Sequence, residues 1–595
     1  MNRVSIKIVG AQGQGVNSVG EMCAKGLKRV GYCVFGYREY MSLIKGGHSS
    51  YQLDVSDELV RSTQTRVDIV VTFNHHGITK NLRELKEGGI LIHQTPQWQF
   101  KDKDDLEFIE SSGIKVLYLP TEDILQKLNA KPILGNVLIT SVVWALLGRS
   151  QKELKTLVEE QFGHKKDLLA QNLACIEEGF EYRDEHASDF DIPLPEPNEH
   201  WQKQLLITGS QAMGLGIIHA GCRVFASYPM TPASPLLSFI ADQQNNSHMV
   251  IKQAEDEITA AQMMVGAMHM GTRAATCTSG GGFDLMTETY SFAAMAEIPA
   301  VFILAQRPGP ATGLPTWTAQ GDLLLAVGSA HGELPRLVLS VSDSQDCFDL
   351  MPEAFNLAEE FQIPVTVLTD KQAAEALFTQ THFDQAASDV RRGQLITDPK
   401  ELAKLQSVDR YNPSIADGVS PRWLPGTEAE QFCAQGYEHT ADGSFDESSE
   451  NTVKQVDKRV RKMQTLKDRL PEPELFGSED PEVLVVSWGS NKGVILDILE
   501  EGEITLSAGR GQGSGVSGNI GYLHYTYLWP LKPERFERLA KKAKKTILIE
   551  CNQQGQLGML IKQDCGLDFD EKILKYDGRP FFFDELKNAI SVHAS

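Results

Sequence analysis

The sequence predicts an α/β protein built from several parallel-sheet domains. Its 595 residues, at about 150 residues per domain, correspond to about four domains. Short runs rich in valine and isoleucine alternate with helical patterns, which is the order expected when helices cover a parallel sheet. The first such run, VSIKIV, leads into a glycine loop and then into a helix with one apolar stripe, at Val16, Val19, Met22, Cys23, Leu27 and Val30.

Charge and cysteine content exclude several classes of protein. The chain carries 57 Lys and Arg against 79 Asp and Glu, a formal net charge of −22, which argues against binding nucleic acid through bulk charge. The start MNRVSIKIVG lacks the apolar core of a signal peptide, so we expect no secretion. Nine scattered cysteines form no Cys-x-x-Cys pair, which argues against an iron–sulfur site on this chain and indicates a reducing, cytoplasmic location.

The longest apolar stretch covers residues 132–148. It contains proline, glycine and polar residues and is shorter than the ~20 apolar residues that a membrane-spanning helix needs. We therefore expect a buried helix there and no membrane association.

Changes in composition predict the domain boundaries. The prolines of DIPLPEPNEH make residues 191–202 an extended linker that follows a first domain over residues 1–190. A second domain is predicted over residues 203–375. Residues 376–480 lose the apolar periodicity and form a charged connecting segment, and the strand-like EVLVVSWG opens a last domain over residues 481–595.

Two glycine loops of the first domain could hold a phosphate. Gly13, Gln14 and Gly15 lie in GAQGQG, between a strand and a helix, where bare backbone N–H groups and a helix N-terminus favour an anion. Lys45 in SLIKGGHSSY adds a positive charge beside two glycines. GAQGQG matches neither the dinucleotide-binding fingerprint nor the P-loop, so tight-turn packing alone would also account for its glycines.

Polar residues of the second domain follow predicted strands, where open α/β sheets bind ligands. Tyr228, Pro229 and Thr231 lie in the proline-rich turn YPMTPASP. Glu255 and Glu257 open a helix of small and apolar residues. Each glutamate alone is explained as a partner of the helix dipole, yet a glutamate at the mouth of an apolar cavity could instead hydrogen-bond a ligand nitrogen.

Arg307 lies on the stiff loop AQRPGPATGLPTW, directly after another predicted strand. An arginine fixed in this way can clamp a carboxylate with two parallel hydrogen bonds. The alternative is a surface arginine with an ordinary carboxylate neighbour.

In this order the motifs resemble those of the 2-oxoacid:ferredoxin oxidoreductases, in the form in which a gamma domain is fused ahead of the alpha subunit. GAQGQG with SLIKGGHSSY is similar to the paired glycine loops of the gamma domain, and YPMTP to the Tyr-Pro-Ile-Thr-Pro signature of the family. IECNQQGQL is similar to a stretch of the alpha subunit's last domain, and QRPGPATGLPT to alpha subunits that act on 2-oxoglutarate. The resemblance implies a gamma domain, a thiamine-pyrimidine-binding domain and a transketolase-C-terminal-like domain.

The same resemblance implies a reaction and its participants. A 2-oxoacid, expected to be 2-oxoglutarate, is decarboxylated with coenzyme A to succinyl-CoA and CO2, ferredoxin takes the electrons, and the reverse direction is also open. Thiamine diphosphate is the implied cofactor, shared with a partner chain. By the motif match, Glu257 hydrogen-bonds the aminopyrimidine ring, Thr231 contacts the substrate carboxylate and keto oxygen, and Arg307 clamps a carboxylate, a task for which His269 or a partner-chain residue is the alternative.

The implied contacts to cofactor and coenzyme complete the set of predicted site residues. Tyr228 and Pro229 would join Glu257 at thiamine diphosphate. Coenzyme A would lie on the glycine loops, at Gly13, Gln14, Gly15 and Lys45.

Two departures from the pattern of thiamine enzymes predict a partner subunit. Such enzymes hold Mg2+ and the diphosphate with a Gly-Asp-Gly motif, which is missing from this sequence, as are cysteine clusters. We therefore expect no metal site on this chain, a beta subunit that carries the diphosphate and Mg2+ site and an iron–sulfur cluster, and a dimer of alpha–beta pairs.

Three alternatives stay open at this point. The substrate could be pyruvate or another 2-oxoacid. The chain could be a component of a non-redox thiamine enzyme, although the gamma-like N-terminus argues against this. It could also be a non-catalytic scaffold that binds coenzyme A or a nucleotide, which would leave Tyr228, Glu257 and Arg307 unexplained.

Overall fold

A computed structural model of the protein describes residues 2–43, 46–162, 166–384, 386, 389–501, 505–506, 516–517 and 519–594. The chain forms two compact units. The first consists of Met1–Ile207, Ala376–His382 and Phe582–Asn588, and the second of Thr208–Glu375, Phe383–Phe581 and Ala589–Ser595.

Strands and helices alternate along most of the chain, which confirms the α/β class. The strands are β1 (Arg3–Gln12), β2 (Cys33–Tyr40), β3 (Gly46–Ser56), β4 (Val67–Thr72), β5 (Leu85–His93), β6 (Lys115–Tyr118), β7 (Leu205–Thr208), β8 (Val224–Ser227), β9 (Val250–Gln253), β10 (Ala274–Thr278), β11 (Ala300–Gln306), β12 (Leu337–Ser340), β13 (Pro364–Asp370), β14 (Leu377–Gln380), β15 (Glu474–Gly477), β16 (Val483–Trp488), β17 (Thr505–Leu506), β18 (Val516–Ser517), β19 (Ile520–Tyr525), β20 (Tyr527–Trp529), β21 (Lys545–Glu550) and β22 (Glu571–Leu574).

The α-helices are α1 (Val16–Val30), α2 (His75–Asn81), α3 (Lys103–Ser111), α4 (Thr121–Lys127), α5 (Gly135–Leu146), α6 (Gln151–Phe162), α7 (Lys166–His186), α8 (Glu199–Gln202), α9 (Gly209–His219), α10 (Ser234–Ser247), α11 (Glu257–His269), α12 (Gly280–Met295), α13 (Leu323–Gly328), α14 (Ser344–Phe361), α15 (Lys371–Glu375), α16 (Pro399–Leu402), α17 (Ser449–Arg469), α18 (Asn491–Glu501), α19 (Glu534–Ala540), α20 (Gln556–Cys565) and α21 (Phe583–His593). Short 3-10 helices cover Leu82–Glu84, Pro132–Leu134 and Ser407–Asp409.

The sheet of the first unit has the strand order β6-β5-β4-β1-β3-β2-β14-β7. Strands β1, β4, β5 and β6 are parallel, whereas β3 runs antiparallel to both β1 and β2. The sheet thus combines the expected parallel strands with an antiparallel part around β3. The reason is the short link between β2 and β3, since parallel neighbours need a long crossover connection.

The helices of the first unit follow the sequence pattern closely. Helix α1 begins after Gly15, whose φ of 100° suits glycine, and it buries Val16, Val19, Cys23 and Leu27 as the apolar stripe predicts. Helix α5 is buried along nearly its whole length, which confirms the buried helix expected within residues 132–148. Among the described residues, no helix combines the length and the apolar composition needed to cross a bilayer.

Late stretches of the chain complete the first unit. In β14, the Thr379 hydroxyl accepts from the Val34 amide at 2.8 Å and donates to the Val34 carbonyl at 2.9 Å. The Phe583 amide donates to the Thr63 carbonyl at 2.8 Å, and the Asp584 carboxylate accepts from the Thr65 amide at 2.8 Å. These contacts belong to the same unit as β1, although they join residues hundreds of positions apart.

The second unit contains two larger sheets, with orders β20-β12-β13-β11-β10-β8-β9 and β15-β19-β16-β21-β22. Strands β8 to β13 pair in parallel, so their carboxyl ends lie along one edge of the first of these sheets. Apolar side chains of both sheets, including Phe302, Val338, Leu484 and Trp488, form one core cluster.

Buried ion pairs attach the charged segment to the second unit. Lys458 and Lys462 of α17 donate to the two Glu297 carboxylate oxygens at 2.6 and 2.7 Å, and all three side chains are buried. Burial alone would raise the pKa of Glu297, but the cations of Lys458, Lys462 and Arg410 hold that pKa well below its ordinary value. Residues 376–480 are thus charged as the composition shows, yet part of that charge lies inside the protein.

Candidate active site

The predicted site residues of the second domain lie at one edge of its sheet. Tyr228 and Pro229 follow β8, Arg307 follows β11, and Glu257 begins α11 directly after β9. Strands β9, β8, β10 and β11 are neighbours in that order. Because ligands of open α/β sheets bind outside the carboxyl ends of the strands, this edge is the candidate active site.

A hydrogen bond joins two of these loops. The guanidinium Nη1 of Arg307 donates to the Thr231 carbonyl oxygen at 2.6 Å. Arg307 is buried, and burial lowers its pKa while the nearby Asp322 carboxylate acts to raise it. The loop that follows β11 is therefore tied to the turn that follows β8, and a positive charge is fixed between them.

The structure separates Glu255 from Glu257. Asp256 caps α11, since its carboxylate accepts from the Thr259 amide at 2.7 Å. Glu255 is exposed and accepts from the Thr259 hydroxyl at 3.2 Å. Glu257 is 4% exposed, and its Oε1 is buried without a hydrogen-bond partner among the described residues. The ordinary role of a first-turn acid is thus taken by Asp256, and Glu257 is left for another one.

Several buried polar atoms at this edge have no hydrogen-bond partner in the described part of the chain. An unmet buried polar group costs about 1–3 kcal/mol, so a cluster of them indicates that another group completes it. A Cβ on Gly282 would lie 2.7 Å from Glu257 Oε1, and one on Gly280 would lie 2.8 Å from Asp322 Oδ2. The glycines therefore keep open the space beside Glu257 Oε1, Thr278 Oγ1 and Asp322 Oδ2, and Ser279 Oγ is a further unpartnered atom at this edge.

The first unit contains the other predicted loop. Gly13 and Gly15 both have positive φ, 92° and 100°, and residues 12–18 line a cavity of about 750 Å3. The Gln14 side chain holds the loop, since its Oε1 accepts from the Ala11 amide at 2.7 Å and from the Asn74 side-chain amide at 2.8 Å. Lys45 lies outside the described residues.

Comparison with known proteins identifies the family. Residues 5–182 match the family model described as pyruvate ferredoxin/flavodoxin oxidoreductase, and residues 215–463 match pyruvate flavodoxin/ferredoxin oxidoreductase, thiamine diP-bdg. The 2-oxoacid:ferredoxin oxidoreductase subunit alpha of Saccharolobus solfataricus is 31% identical over 99% of this chain and 97% of its own length. The chain belongs to the alpha subunits of the 2-oxoacid:ferredoxin oxidoreductases. This result confirms the resemblance found in the motifs and makes the protein an oxidoreductase.

Two further relatives of this alpha subunit name a substrate. The 2-oxoglutarate oxidoreductase subunit KorA of Mycobacterium tuberculosis is 28% identical over 98% of this chain and 91% of its own length. The solved 2-oxoglutarate:ferredoxin oxidoreductase of Magnetococcus marinus, with 2-oxoglutarate, coenzyme A and succinyl-CoA bound, is 27% identical. It superimposes with a TM-score of 0.90 over 100% of both chains.

The residues at the candidate active site of the alpha subunit are compatible with a bound thiamine diphosphate. The matched family model over residues 215–463 is one that binds this cofactor. Glu257 offers a buried oxygen that has no partner among the described residues, and Gly282 leaves room in front of it. Among the residues that the structure describes, no three acidic, cysteine or histidine side chains are grouped so that they could hold a metal ion.

Sequence reasoning missed Asp322 in the alpha subunit. Burial and repulsion by Asp284 raise the pKa of Asp322 to about 6, against the attraction of Arg307. The signal was the acidic residue of the Gln-Gly-Asp stretch at residues 320–322, which ends the loop of Arg307 and precedes α13. His269, the alternative cation, lies at the far end of α11 from Glu257, beside Phe432.

The stretch IECNQQGQL has a visible structural role. Gln320 is buried, and its side-chain oxygen accepts from the Cys551 amide at 2.8 Å and from the Asn491 side chain at 2.9 Å. Asn552 donates to the Gln320 carbonyl at 3.0 Å. The resemblance identified this stretch, and the structure shows that it fixes the end of the loop that carries Arg307.

Proposed function

We propose that the protein is the alpha subunit of a cytoplasmic 2-oxoglutarate:ferredoxin oxidoreductase. It would decarboxylate 2-oxoglutarate oxidatively with coenzyme A to succinyl-CoA and CO2 while ferredoxin is reduced, and the reverse reaction stays open. The observation that carries the proposal is the buried Arg307, bonded to the turn of Thr231 at the same sheet edge as the unpaired Glu257. The names of the KorA relative and of the similar solved structure support this choice of substrate.

Glu257 would serve the cofactor. When bound, thiamine diphosphate supplies the electron sink that decarboxylation needs. Glu257 Oε1 would hold a proton toward a ring nitrogen of the aminopyrimidine, because a buried carboxyl without another partner can exchange a proton with a bound base. Tyr228 and Pro229 would form the wall beside the ring, since they lie in the turn that follows β8.

Thr231 and Arg307 would read the substrate. Every 2-oxoacid has a carboxylate next to its keto group, and the Thr231 hydroxyl can donate a hydrogen bond to it. 2-Oxoglutarate brings a second carboxylate, and burying that charge without a cation would cost several kcal/mol. Arg307 is a buried cation at the candidate active site, and it would therefore bind the distal carboxylate.

The glycine loop of the first unit would contact coenzyme A. Gly13, Gln14 and Gly15 line the cavity of about 750 Å3, which has room for part of a nucleotide-bearing ligand. Gly13 has open space where a Cβ would stand, so its backbone can approach a phosphate closely. Lys45 would add a positive charge from the neighbouring loop.

The remaining parts of the active site would come from a beta subunit. The missing Gly-Asp-Gly motif and the scattered cysteines support a partner that carries the diphosphate and Mg2+ site and an iron–sulfur cluster. Two such alpha–beta pairs would form the enzyme.

The test uses the chain co-expressed and purified with its partner subunit. Reduction of ferredoxin or viologen would be measured with 2-oxoglutarate or pyruvate, with and without coenzyme A. We expect coenzyme A-dependent reduction and a higher kcat/KM for 2-oxoglutarate than for pyruvate, and none with this chain alone. Equal efficiency with the two acids would contradict the selectivity, and activity or stoichiometric iron on the isolated chain would contradict the division between subunits.

A further inference from the structure

Asp322 is held at the candidate active site by its backbone and not by its carboxylate. Its amide donates to the Gln306 side-chain oxygen at 3.0 Å, and Gln306 directly precedes Arg307 in the chain. On both sides of Asp322, Gln556 of α20 bonds the backbone, to the Gly321 carbonyl at 2.9 Å and the Leu324 amide at 3.0 Å. The residue is thus fixed by neutral groups, and its carboxylate is left for another purpose.

The carboxylate of Asp322 lies over the first turn of α12. Its Oδ2 is buried without a hydrogen-bond partner in the described part of the chain, against the backbone of Gly280. A Cβ at position 280 would lie 2.8 Å from that oxygen, so a larger residue there would displace the carboxylate. The packing therefore keeps at this place a carboxylate oxygen that no described group bonds.

Two charged groups act on Asp322 from the elements around it. Asp284 of α12 repels it and Arg307 of the loop after β11 attracts it, while Gln306 and Gln556 are neutral. Arg307 and Asp322 form no ion pair, although both lie among the described residues, so the attraction acts across a gap. With burial as the largest cause, the pKa of Asp322 is raised to about 6, so the group changes charge just below neutral pH.

We propose that Asp322 is a positioning residue of the carboxylate site: when ionised it competes with the substrate's distal carboxylate for Arg307, and when protonated it leaves the guanidinium to the substrate. This inference rests on the proposed role of Arg307 in binding 2-oxoglutarate. It adds a control by pH of the affinity for dicarboxylic 2-oxoacids.

The direction in which KM changes with pH follows from the charges. Above its pKa, Asp322 places a negative charge near Arg307 and thereby weakens the pull on a substrate anion. Below its pKa the charge is lost and the dianionic substrate binds more tightly. KM for 2-oxoglutarate should therefore rise as pH increases through about 6, whereas KM for pyruvate, which has no distal carboxylate, should not follow.

The first variant to test is Asp322→Asn in the assembled enzyme, which keeps shape and removes the charge. At pH 7.5 we expect KM for 2-oxoglutarate to fall about fivefold and KM for pyruvate to stay unchanged, because a negative charge that acts on Arg307 is removed. At pH 5.5 the variant and the wild type should agree within about twofold, since the carboxyl of Asp322 is then mostly protonated and therefore neutral, as the amide of the variant is.

Asp284→Asn is the matched control, because it is exposed and changes only the repulsion on Asp322. It should move the midpoint of the KM profile to lower pH without abolishing the profile. If Asp322→Asn keeps the wild-type profile, or shifts KM for both acids alike, the inference is wrong. If instead Arg307→Ala leaves KM for 2-oxoglutarate unchanged, the proposed role of Arg307 fails, which is a separate outcome.

Discussion

Two glutamates of the second unit are both buried, but they differ in whether another group bonds their carboxylate oxygens. Glu297 is 2% exposed and has both carboxylate oxygens bonded by the ammonium groups of Lys458 and Lys462. Glu257 is 4% exposed, and its Oε1 has no partner in the described part of the chain. Burying a carboxylate is costly in either place, so the protein offsets that cost at Glu297 and not at Glu257. The contrast separates an acid that stabilises the fold from an acid that is kept for a ligand.

The largest effect is expected at Glu297, whose carboxylate oxygens are both bonded by lysines. Glu297→Gln leaves two buried ammonium groups without their counter-charge, and removing one partner of a buried ion pair costs about 3–5 kcal/mol. We expect that loss in the free energy of unfolding, measured by urea denaturation. The matched control is Glu450→Gln, which breaks an exposed pair with Lys454 and should cost less than about 0.5 kcal/mol. Equal losses for the two variants would mean that the buried pairs add nothing.

The same acid predicts a dependence of stability on pH. The pKa of Glu297 is lower in the folded protein than its ordinary value of 4.5, so the folded state binds fewer protons there. Its contribution is fully present above pH 4.5 and is lost as the pH falls below that value. The stability difference between wild type and Glu297→Gln should therefore shrink on acidification, and a constant difference would contradict the lowered pKa.

At Glu257 we expect the opposite pattern, in which turnover is lost and stability is kept. Glu257→Gln keeps the shape and removes the exchangeable proton, so we expect turnover of the assembled enzyme to fall about a hundredfold while the unfolding free energy is unchanged. Glu255→Gln is the control and should retain nearly full turnover, because Glu255 is exposed and contacts Thr259. A crippled Glu255 variant beside an active Glu257 variant would reverse the assignment.

A smaller effect is expected at Arg307, the buried cation of the candidate active site. Arg307→Ala removes a charge-assisted hydrogen bond, which contributes about 1.5–3 kcal/mol, so kcat/KM for 2-oxoglutarate should fall at least about tenfold. Steady-state kinetics with pyruvate supply the comparison. If both acids lose equally, Arg307 reads the carboxylate that all 2-oxoacids share.

The smallest effect is expected in the first unit. Lys45→Ala should raise the apparent KM for coenzyme A about fivefold and leave KM for the 2-oxoacid unchanged, as for the loss of one charge contact. Lys25→Ala is the control, since Lys25 is exposed and pairs with Glu21 on α1. An unchanged dependence on coenzyme A would limit the two glycine loops to a structural role.

Local sequence patterns predicted the elements whose partners are close in the chain. The apolar stripe of α1 and the glycines before it follow from periodicity and backbone geometry alone. Tyr228, Thr231 and Arg307 could be selected because residues after parallel strands lie at one edge of a sheet. The antiparallel β2–β3 pair was missed, since Gly46 and Gly47 were interpreted as part of a phosphate loop and not as a turn between two strands.

The two most informative acids could not be found in this way. Glu297 meets Lys458 and Lys462 from more than 160 positions later in the chain, and no local pattern reports such a pairing. The raised pKa of Asp322 is caused by its burial beside Gly280 and by repulsion from Asp284. Both depend on the tertiary structure, which places distant residues side by side.

The late stretches that complete the first unit have a consequence for synthesis. When a ribosome has produced β1 to β7, the sheet still lacks β14, the strand between β2 and β7 in the strand order. The contacts of Thr63 and Thr65 with Phe583 and Asp584 form only when almost the entire polypeptide has emerged. Until then, the edges of β2 and β7 that pair with β14 have unpaired backbone groups. Unpaired strand edges make a growing chain prone to aggregation, which is the state in which chaperones are most needed.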